Sequence, residues 1–525
     1  LERKWWTLIA VSVAIFMLLL DITVVNVALP DIQRSLHSSF SDLQWVVNAY
    51  SLTLAAFLLT AGSISDLIGR KRVFVAGLVV FTAASAVCGL SGSPLMLNLA
   101  RAVQGTGGAM MFATSLALLA QAFHGKERGT AFGVFGAVTG AAVAVGPVLG
   151  GVITSGIGWK WIFFVNVPIG AIAVFVTLTQ VSDSRDPNAT GVDWAGLVTF
   201  SGSLFMLVFA LVQGNEKGWG STEILALLIG AAVLLVAFVV LEHLQSRPML
   251  DLSLFRRPAF AGASIVAFAI SASFFAMFLY LTLYIQDVLG YSPLQAGLRF
   301  LPVTLLSFAV APVAGKLSVR IPVRLLLGTG LLLAGAGLLA MTTIGAGSGW
   351  TTLIPGFLLG GAGIGMINPP LASTAIGVVP HERSGMASGI NSTFRQVGIA
   401  TGIAGLGAIF QHSVTKSTHT TLAASGHARE IVSAAHGHLA TLLESGEVTH
   451  FARTLSPAAH TALVHSYKVG FTGAFTTIAI IAALVALVGG VLAFVLVRSR
   501  DFVASGQAPA APDAAETEPA GALAG

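Results

Sequence analysis

Long apolar runs, broken at intervals by short polar and basic clusters, fill most of the 525-residue chain. A helix that crosses a bilayer needs about 20 mostly apolar residues, since the hydrocarbon core is about 30 Å thick and each helical residue rises about 1.5 Å. Fourteen windows meet that need, near residues 6–28, 45–65, 73–90, 95–122, 131–153, 161–181, 194–212, 224–241, 260–285, 298–317, 325–345, 350–379, 388–410 and 469–497. The pattern predicts an all-α polytopic membrane protein of about 14 transmembrane helices.

The polar breaks orient these spans. Alternate loops hold Arg3-Lys4, Arg70-Lys71-Arg72, Lys126 and Arg128, Arg185 and Arg247, Arg256-Arg257, Lys316 with Arg320 and Arg324, Arg383, and Arg498 with Arg500. The short loops opposite hold just Arg34, Lys160, Lys217 and Arg299. Short cytoplasmic loops carry the excess of Lys and Arg, so both termini are expected in the cytoplasm and the chain in the inner (cytoplasmic) membrane. Arg101 and Arg395 are left over, inside the membrane.

The spans also repeat. A shift of 255 lays Glu127-Arg128 onto Glu382-Arg383, Gly105 onto Gly360 and Gly108 onto Gly363; a shift of 253 lays Ala61-Gly62 onto Ala314-Gly315. Residues 1–182 are thus expected as one six-helix bundle, 183–256 as two inserted transmembrane helices, and 257–500 as a second six-helix bundle. The second bundle carries an extracytoplasmic loop at 411–467, where Leu, Ala and Ile between polar residues suggest short amphipathic helices over the outer mouth. Residues 501–525, rich in Ala, Pro and acid, are expected as a disordered cytoplasmic tail. Parallel six-helix halves with a site between them are the architecture of alternating-access transporters.

Composition narrows the chemistry. The chain is 55% hydrophobic and only 9% charged, with mean hydropathy +0.86, far from the roughly 25% charged of soluble domains. Its 59 glycines suit helices packed closely in lipid. The net charge of +5 is spread over loops, not gathered in a stripe, so nucleic acid is not an expected partner. The single cysteine, Cys88, excludes a disulfide framework and a cysteine metal site. Eight histidines lie in the outer loop: His412, His419, His427, His436, His438, His450, His460 and His465. Their sparse acidic neighbours favour solvated surface residues over metal ligands, and no metal is expected. The first apolar run, Trp5 to Ala28, is too long for a cleavable signal and is expected as a retained span. No clustered acids or histidines suggest an enzyme, and no phosphate loop suggests an ATP-driven pump.

Ordered motifs then carry a resemblance. They are Leu20-Asp21-x-Thr23-Val24-Val25-Asn26-Val27-Ala28-Leu29-Pro30; Gly62-x-x-x-Asp66-x-x-Gly69-Arg70-Lys71-Arg72; Arg101-x-x-Gln104-Gly105-x-Gly107-Gly108; and Gly140 followed by Gly146-Pro147-x-x-Gly150-Gly151. Trp159-Lys160-Trp161-Ile162-Phe163-Phe164-x-Asn166-x-Pro168 and Asn391-x-x-x-Arg395-Gln396-x-Gly398 complete the set. Across essentially its whole length the chain resembles the major facilitator superfamily, specifically the fourteen-span drug:proton antiporter branch. It departs in having Lys160 where many relatives have arginine, and in lacking an acid beside Gly315-Lys316. The resemblance implies a proton-coupled exporter of small hydrophobic drugs or metabolites, with the proton as coupling ion and no other cofactor; the single buried acid, Asp21, extends that expectation to monovalent lipophilic cations that compete with the proton. It also implies a gate at Asp66, Gly69, Arg70 and Arg72 and an antiport motif at Gly140, Gly146, Pro147, Gly150 and Gly151. A lipid or fatty-acid exporter of the same fold, or a nutrient symporter, stands as the alternative.

Depth singles out two residues. Asp21 lies nine residues before Pro30 and Arg101 seven after Pro94, about 13 and 10 Å from the outer ends of their helices, so they can meet. Asp21 is the one carboxyl predicted well inside the hydrocarbon, where a charged Asp costs roughly 2.5–3.5 kcal/mol. Asp21 is the expected proton carrier and Arg101 its partner; a static polar lock between helices is the competing role. Aromatics and amides suited to bulky apolar cargo are Asn26, Trp45, Asn48, Tyr50, Phe274, Phe278, Tyr280, Tyr284, Gln286, Asn391 and Arg395. Membrane lipids are the surrounding partner, and a monomer is the expected working unit.

Overall fold

The computed structural model describes residues 2–123, 125–185, 191–245, 248–318, 320–378, 384–435, 448–498 and 501. Arg247, Glu382-Arg383, His436, His438, Arg500 and the tail from 502 onward lie outside the described residues.

Lipid offers no partner for backbone amides, so each apolar run satisfies its own as a helix. Fourteen helices are long and apolar enough to cross a membrane. They are α1 (Arg3–Leu36), α2 (Phe40–Ile68), α3 (Arg70–Leu90), α4 (Pro94–Ala122), α5 (Gly125–Ile157), α6 (Trp161–Gln180), α7 (Trp194–Lys217), α8 (Thr222–Leu244), α9 (Pro258–Val288), α10 (Pro293–Leu317), α11 (Val323–Thr343), α12 (Trp350–Ala375), α13 (Ser384–Ala424) and α14 (Pro457–Leu496). Local chemistry sets several boundaries. Ser39 and Asp42 form a capping box at the start of α2, and Ser292 and Gln295 do the same before α10. Ser93 and Ser456 cap α4 and α14, each with proline at the first helical position.

The first six helices and the last six pack alike. The contacts α1–α5, α2–α4, α3–α4 and α3–α6 recur as α9–α13, α10–α12, α11–α12 and α11–α14. The fold is therefore two six-helix bundles plus two inserted helices. The bundles meet along α2–α13 and α5–α10, contacts that map onto each other when the halves are exchanged. Helix α7 lies over the first seam: Gln213 bonds Ser41 of α2 at 2.9 Å, while Asn215 bonds the Ala408 carbonyl of α13 at 2.6 Å. Helix α8 packs on α7 and leaves most of its surface outward.

Two ends are distinguished here by their residues. The basic end carries the α2–α3 turn with Arg70 to Arg72; the far end carries the α1–α2 turn and the long α13–α14 connection. At the far end the connection is more helical than expected. Helix α13 runs on to Ala424 and α14 starts at Pro457, with short helices at Ala428–Ala434 and Val448–Ala452 between them. Ile431, Ala435, Val448 and Ala452 of this cap are buried with Leu422, Leu463 and Tyr467. Of the described histidines there, His412, His419 and His465 are exposed and His427 and His460 are half-buried, and no cluster of metal-ligating residues occurs among the described residues.

The α5–α10 seam is tight at one end only. Toward the far end, Ser155 Oγ accepts from the Leu294 amide at 2.9 Å, and a methyl group added to Gly297 would stand 2.3 Å from the Pro147 carbonyl. Toward the basic end, methyl groups added to Gly133 and Gly136 would meet nothing within 4 Å.

Candidate functional site

Helix α4 is shaped to come close to its neighbours. A methyl group on Gly105 would lie 2.3 Å from the Tyr50 carbonyl of α2, and one on Gly107 would lie 2.5 Å from the Phe81 amide of α3. Glycine is the residue that permits such approach. The result carries Arg101 into the middle of the first bundle, where it is 1% exposed.

There Arg101 pairs with Asp21 of α1 through Nη1, and the same Nη1 donates to Gln104 Oε1 at 2.7 Å. Its Nε donates to the Val46 carbonyl at 3.1 Å. Gln104 Nε2 donates to the other oxygen of Asp21 at 2.9 Å, and Asn166 Nδ2 of α6 approaches that oxygen at 3.5 Å while also bonding Ser85 Oγ at 3.1 Å. The Tyr50 ring covers the guanidinium, 4.3 Å from its carbon. Five helices thus contribute to one polar knot with equal and opposite formal charges. A buried pair of this kind is held by its hydrogen bonds as much as by its Coulomb attraction. Gln104 was legible as the residue three after Arg101, on the same helical face; nothing in the sequence pattern marked Asn166 as a ligand of Asp21.

Asp21, 3% exposed, lies within one bundle and not at the seam. Helices α8 and α9 run a few residues past their apolar windows and take in Glu242 and Asp287. Glu242 Oε2 accepts from the Leu250 amide at 3.1 Å and ties the α8–α9 connection down. Asp287 lines a cavity of about 20 Å³ near the far end, with Gln33 and Phe40 from the first bundle and Phe410, Gln411, Tyr467 and Phe471 from the second, room for a single water.

The basic-end cluster also stays within the first bundle. Arg70 binds Asp66 Oδ1 through Nε at 3.1 Å and Nη2 at 3.0 Å. Arg72 pairs with Asp183 at 3.3 Å, and Asp183 further accepts from the Lys71 amide at 3.2 Å. Gly69 turns the chain with φ 118, and a side chain there would meet Asp183 at 2.8 Å. Asp183, just past α6, is the partner that motif reasoning missed; its signal was an acid in an otherwise basic set of loops.

The glycines of α5 face two ways. A methyl group on Gly146 would fall 1.8 Å from Thr23 Oγ1, and one on Gly150 would fall 2.9 Å from the Val24 carbonyl, so this face presses on α1 just beyond Asp21. One on Gly151 would meet the Pro293 carbonyl at 2.6 Å, and Pro147 touches Gly297, so the other face presses on α10 of the second bundle. Gly140 is looser, with Phe308 at 3.6 Å from an added methyl.

The expected cavity residues divide. Trp45 stacks on Phe205 and Phe209 of α7, and Tyr50 roofs Arg101. Phe274 fills the space left by Gly360. Tyr280 and Gln44 both donate to the Ile403 carbonyl, at 2.8 and 2.9 Å. Tyr284 bonds Ser348, Asn391 bonds the Ala263 carbonyl, and Gln286 reaches across the seam to the Val27 carbonyl at 2.7 Å. The Asn48 amide is buried without a partner among the described residues. All of these but Asn48 are held by contacts within the protein in this conformation. Asn26, Phe278 and Arg395 keep partial exposure.

Comparison with known proteins agrees with this geometry. A family model described as Major Facilitator Superfamily matches residues 11–403. The chain is 39% identical over 404 residues to the multidrug resistance protein Stp of Mycobacterium tuberculosis, covering 77% of this chain and 75% of that one. It is 33% identical over 492 residues to the tetracenomycin C resistance and export protein of Streptomyces glaucescens, covering 92% and 91%. It is 36% identical over 408 residues to the puromycin resistance protein pur8 of Streptomyces alboniger, covering 77% and 81%. Among solved structures, a bacterial homologue of the human lysosomal transporter Spinster, inward-facing and occupied, superposes with TM-score 0.63 at 15% identity over 95% of this chain and 98% of that one. That likeness is one of fold.

Proposed function

Because the chain belongs to the Major Facilitator Superfamily, we propose that this multi-pass membrane transporter exports small hydrophobic molecules in exchange for protons, by alternating access. The observation that carries the reading is the Asp21–Arg101–Gln104 knot, sealed inside one bundle yet one turn from the glycine face of α5. Relatives named for multidrug resistance, puromycin resistance and tetracenomycin C export support the export direction.

Asp21 is the proposed proton carrier. With the carboxylate charged, Arg101 and Gln104 draw α1 and α4 together. A proton on Asp21 removes the anion and leaves Arg101 to its Val46, Gln104 and Tyr50 contacts, so α1 is freed to shift. Any shift of α1 bears on α5 through Thr23 and Val24, and α5 bears on α10 through Gly151 and Pro147. The chain of contacts from titrating group to bundle seam is therefore short and made of backbone and small residues, which transmit displacement instead of absorbing it. One proton moving down 100 mV supplies about 2.3 kcal/mol, before any pH gradient.

The seam that is tight at the far end and open at the basic end corresponds, on this reading, to a cytoplasm-facing state. Both termini lie in the cytoplasm, in the inner membrane, and the Asp66–Arg70 and Arg72–Asp183 pairs stiffen the hairpin that closes the basic end when the transporter faces outward. One chain suffices as the working unit, and no cofactor beyond the proton takes part.

The test is proton release from everted membrane vesicles on addition of a hydrophobic export substrate, for wild type and Asp21→Asn. The wild type should exchange and the variant should not. Exchange by Asp21→Asn at the wild-type rate would remove Asp21 as carrier, while uptake indifferent to both pH gradient and voltage would remove proton coupling altogether.

A further inference from the structure

The two intramembrane arginines are treated differently by the fold. Arg101 has a carboxylate, an amide, a carbonyl and an aromatic ring. Among the described residues Arg395 has one hydrogen bond, from Nη2 to Asn368 Oδ1 of α12 at 3.0 Å, and no carboxylate reaches it. It lies eleven residues into α13, about 16 Å from that end of the helix at 1.5 Å per residue, farther than snorkelling carries a guanidinium to the headgroups. An intramembrane charge without a counter-charge is costly and marks a functional site.

What this pair offers is donors alone. A guanidinium has five N–H donors and no acceptor, and it occupies one lone pair of the Asn368 oxygen, while the Asn368 NH₂ donates to no described residue. Both residues are half-buried, not sealed. Asn368 immediately precedes Pro369 and Pro370, which interrupt the hydrogen-bond ladder of α12; interrupted helices line the binding sites of transporters. Pro369 in turn faces Gly315, near the basic end of α10, the helix that parts from α5 in that direction.

We propose that Arg395 and Asn368 form the anion-binding end of the cargo site, and that the preferred cargo is an amphiphilic organic anion: a carboxylate, phenolate or sulfonate on an apolar body. The proposal rests on the export reading above and refines its cargo. A negative group entering from the open end replaces the missing counter-charge, with charge-assisted hydrogen bonds from both residues. A neutral analogue gains only the apolar contact, and a cation is repelled. The cationic cargo expected from Asp21 as a lone buried acid would have needed that carboxylate free, and it is enclosed by Arg101, Gln104 and Asn166.

Dansylglycine and its methyl ester share one fluorescent body and differ by a single negative charge. Binding of both is measured by fluorescence on the purified full chain in neutral detergent, and accumulation of both in everted vesicles, for wild type, Arg395→Gln and Arg395→Lys. The wild type should bind the acid at least tenfold more tightly than the ester. Arg395→Gln should lose at least tenfold for the acid and far less for the ester, its wild-type elution profile and unfolding midpoint in detergent reporting an intact fold, and Arg395→Lys should keep the preference at reduced affinity. Equal affinities in the wild type, or a parallel loss of acid and ester in Arg395→Gln, would overturn the anion site while leaving export standing. If phosphatidylglycerol displaces the acid and vesicles accumulate the ester alone, the site holds a lipid headgroup and the cargo proposal falls. Vesicles that accumulate neither compound count against export itself.

Discussion

At the residue scale, the interior of the first bundle is governed by satisfaction of charge. Asp21 and Arg101 are each bonded by several neighbours, so removal of one leaves the other buried and unpaired, which costs about 3–5 kcal/mol, whereas replacing both can be nearly neutral. Arg101→Gln should therefore lower the thermal unfolding midpoint of the detergent-solubilised protein sharply, and Asp21→Asn combined with Arg101→Gln should recover most of the loss. A double variant as unstable as Arg101→Gln would show that the knot is held by shape and not by charge. Composition and depth were enough to bring Asp21 and Arg101 into view as partners. The further contacts were not legible, since Tyr50 could equally have lined a cavity; its place over Arg101 follows from the close α2–α4 approach at Gly105.

At the element scale, α5 is the piece whose packing matters most, because it touches α1 on one face and α10 on the other. Gly151 sits against backbone, with the Leu294 Cα at 2.7 Å from a built methyl group, and backbone has no rotamer by which to yield. Gly151→Ala should wedge the far-end seam and favour the state open there. Cys88 and Ala296 are both fully buried, so a single cysteine placed by Ala296→Cys, on the α10 side of the seam, can be labelled against a quiet background. Its labelling from the far side should rise severalfold in the Gly151→Ala protein, and labelling that stays level would mean that the seam does not turn on this contact. The extensions of α13 and α14 belong to the same scale. Their sequence falls below the hydropathy of a span, yet they remain helical because the far-end cap packs on Leu422, Leu463 and Tyr467.

At the scale of the whole molecule, the two halves can move as bodies only if the seams are breakable. Ser155 and Leu294 meet across α5–α10 at 2.9 Å, close enough for a disulfide between cysteines at both positions. Oxidised Ser155→Cys, Leu294→Cys protein should stop transporting and recover on reduction. Full activity with the bond formed would remove far-end opening from the cycle. The brace of α7 across α2–α13, through Gln213 and Asn215, gives that seam a far-end tether that α5–α10 lacks among the described residues, and toward the basic end a methyl group on Gly389 of α13 would meet Leu59 of α2 at 2.9 Å, so the opening at the basic end lies on the α5–α10 side.

From the order of amino acids alone came the fourteen spans, their alternation, the internal repeat, and the depth at which Asp21, Arg101 and Arg395 sit. These are properties each segment acquires against lipid by itself, since a helix in hydrocarbon must close its own hydrogen bonds and the Lys and Arg between helices are sorted by the membrane surface. Tertiary structure decided which face of each helix turns inward. It sent Trp45 to α7 and Tyr280 and Gln286 into the seam, gave Arg72 its Asp183, and among the described residues left Arg395 with Asn368 alone. Lipid is as apolar as a packed leucine and sets no preference among helix faces. That choice falls to small residues that allow close approach and to polar groups that must find one another.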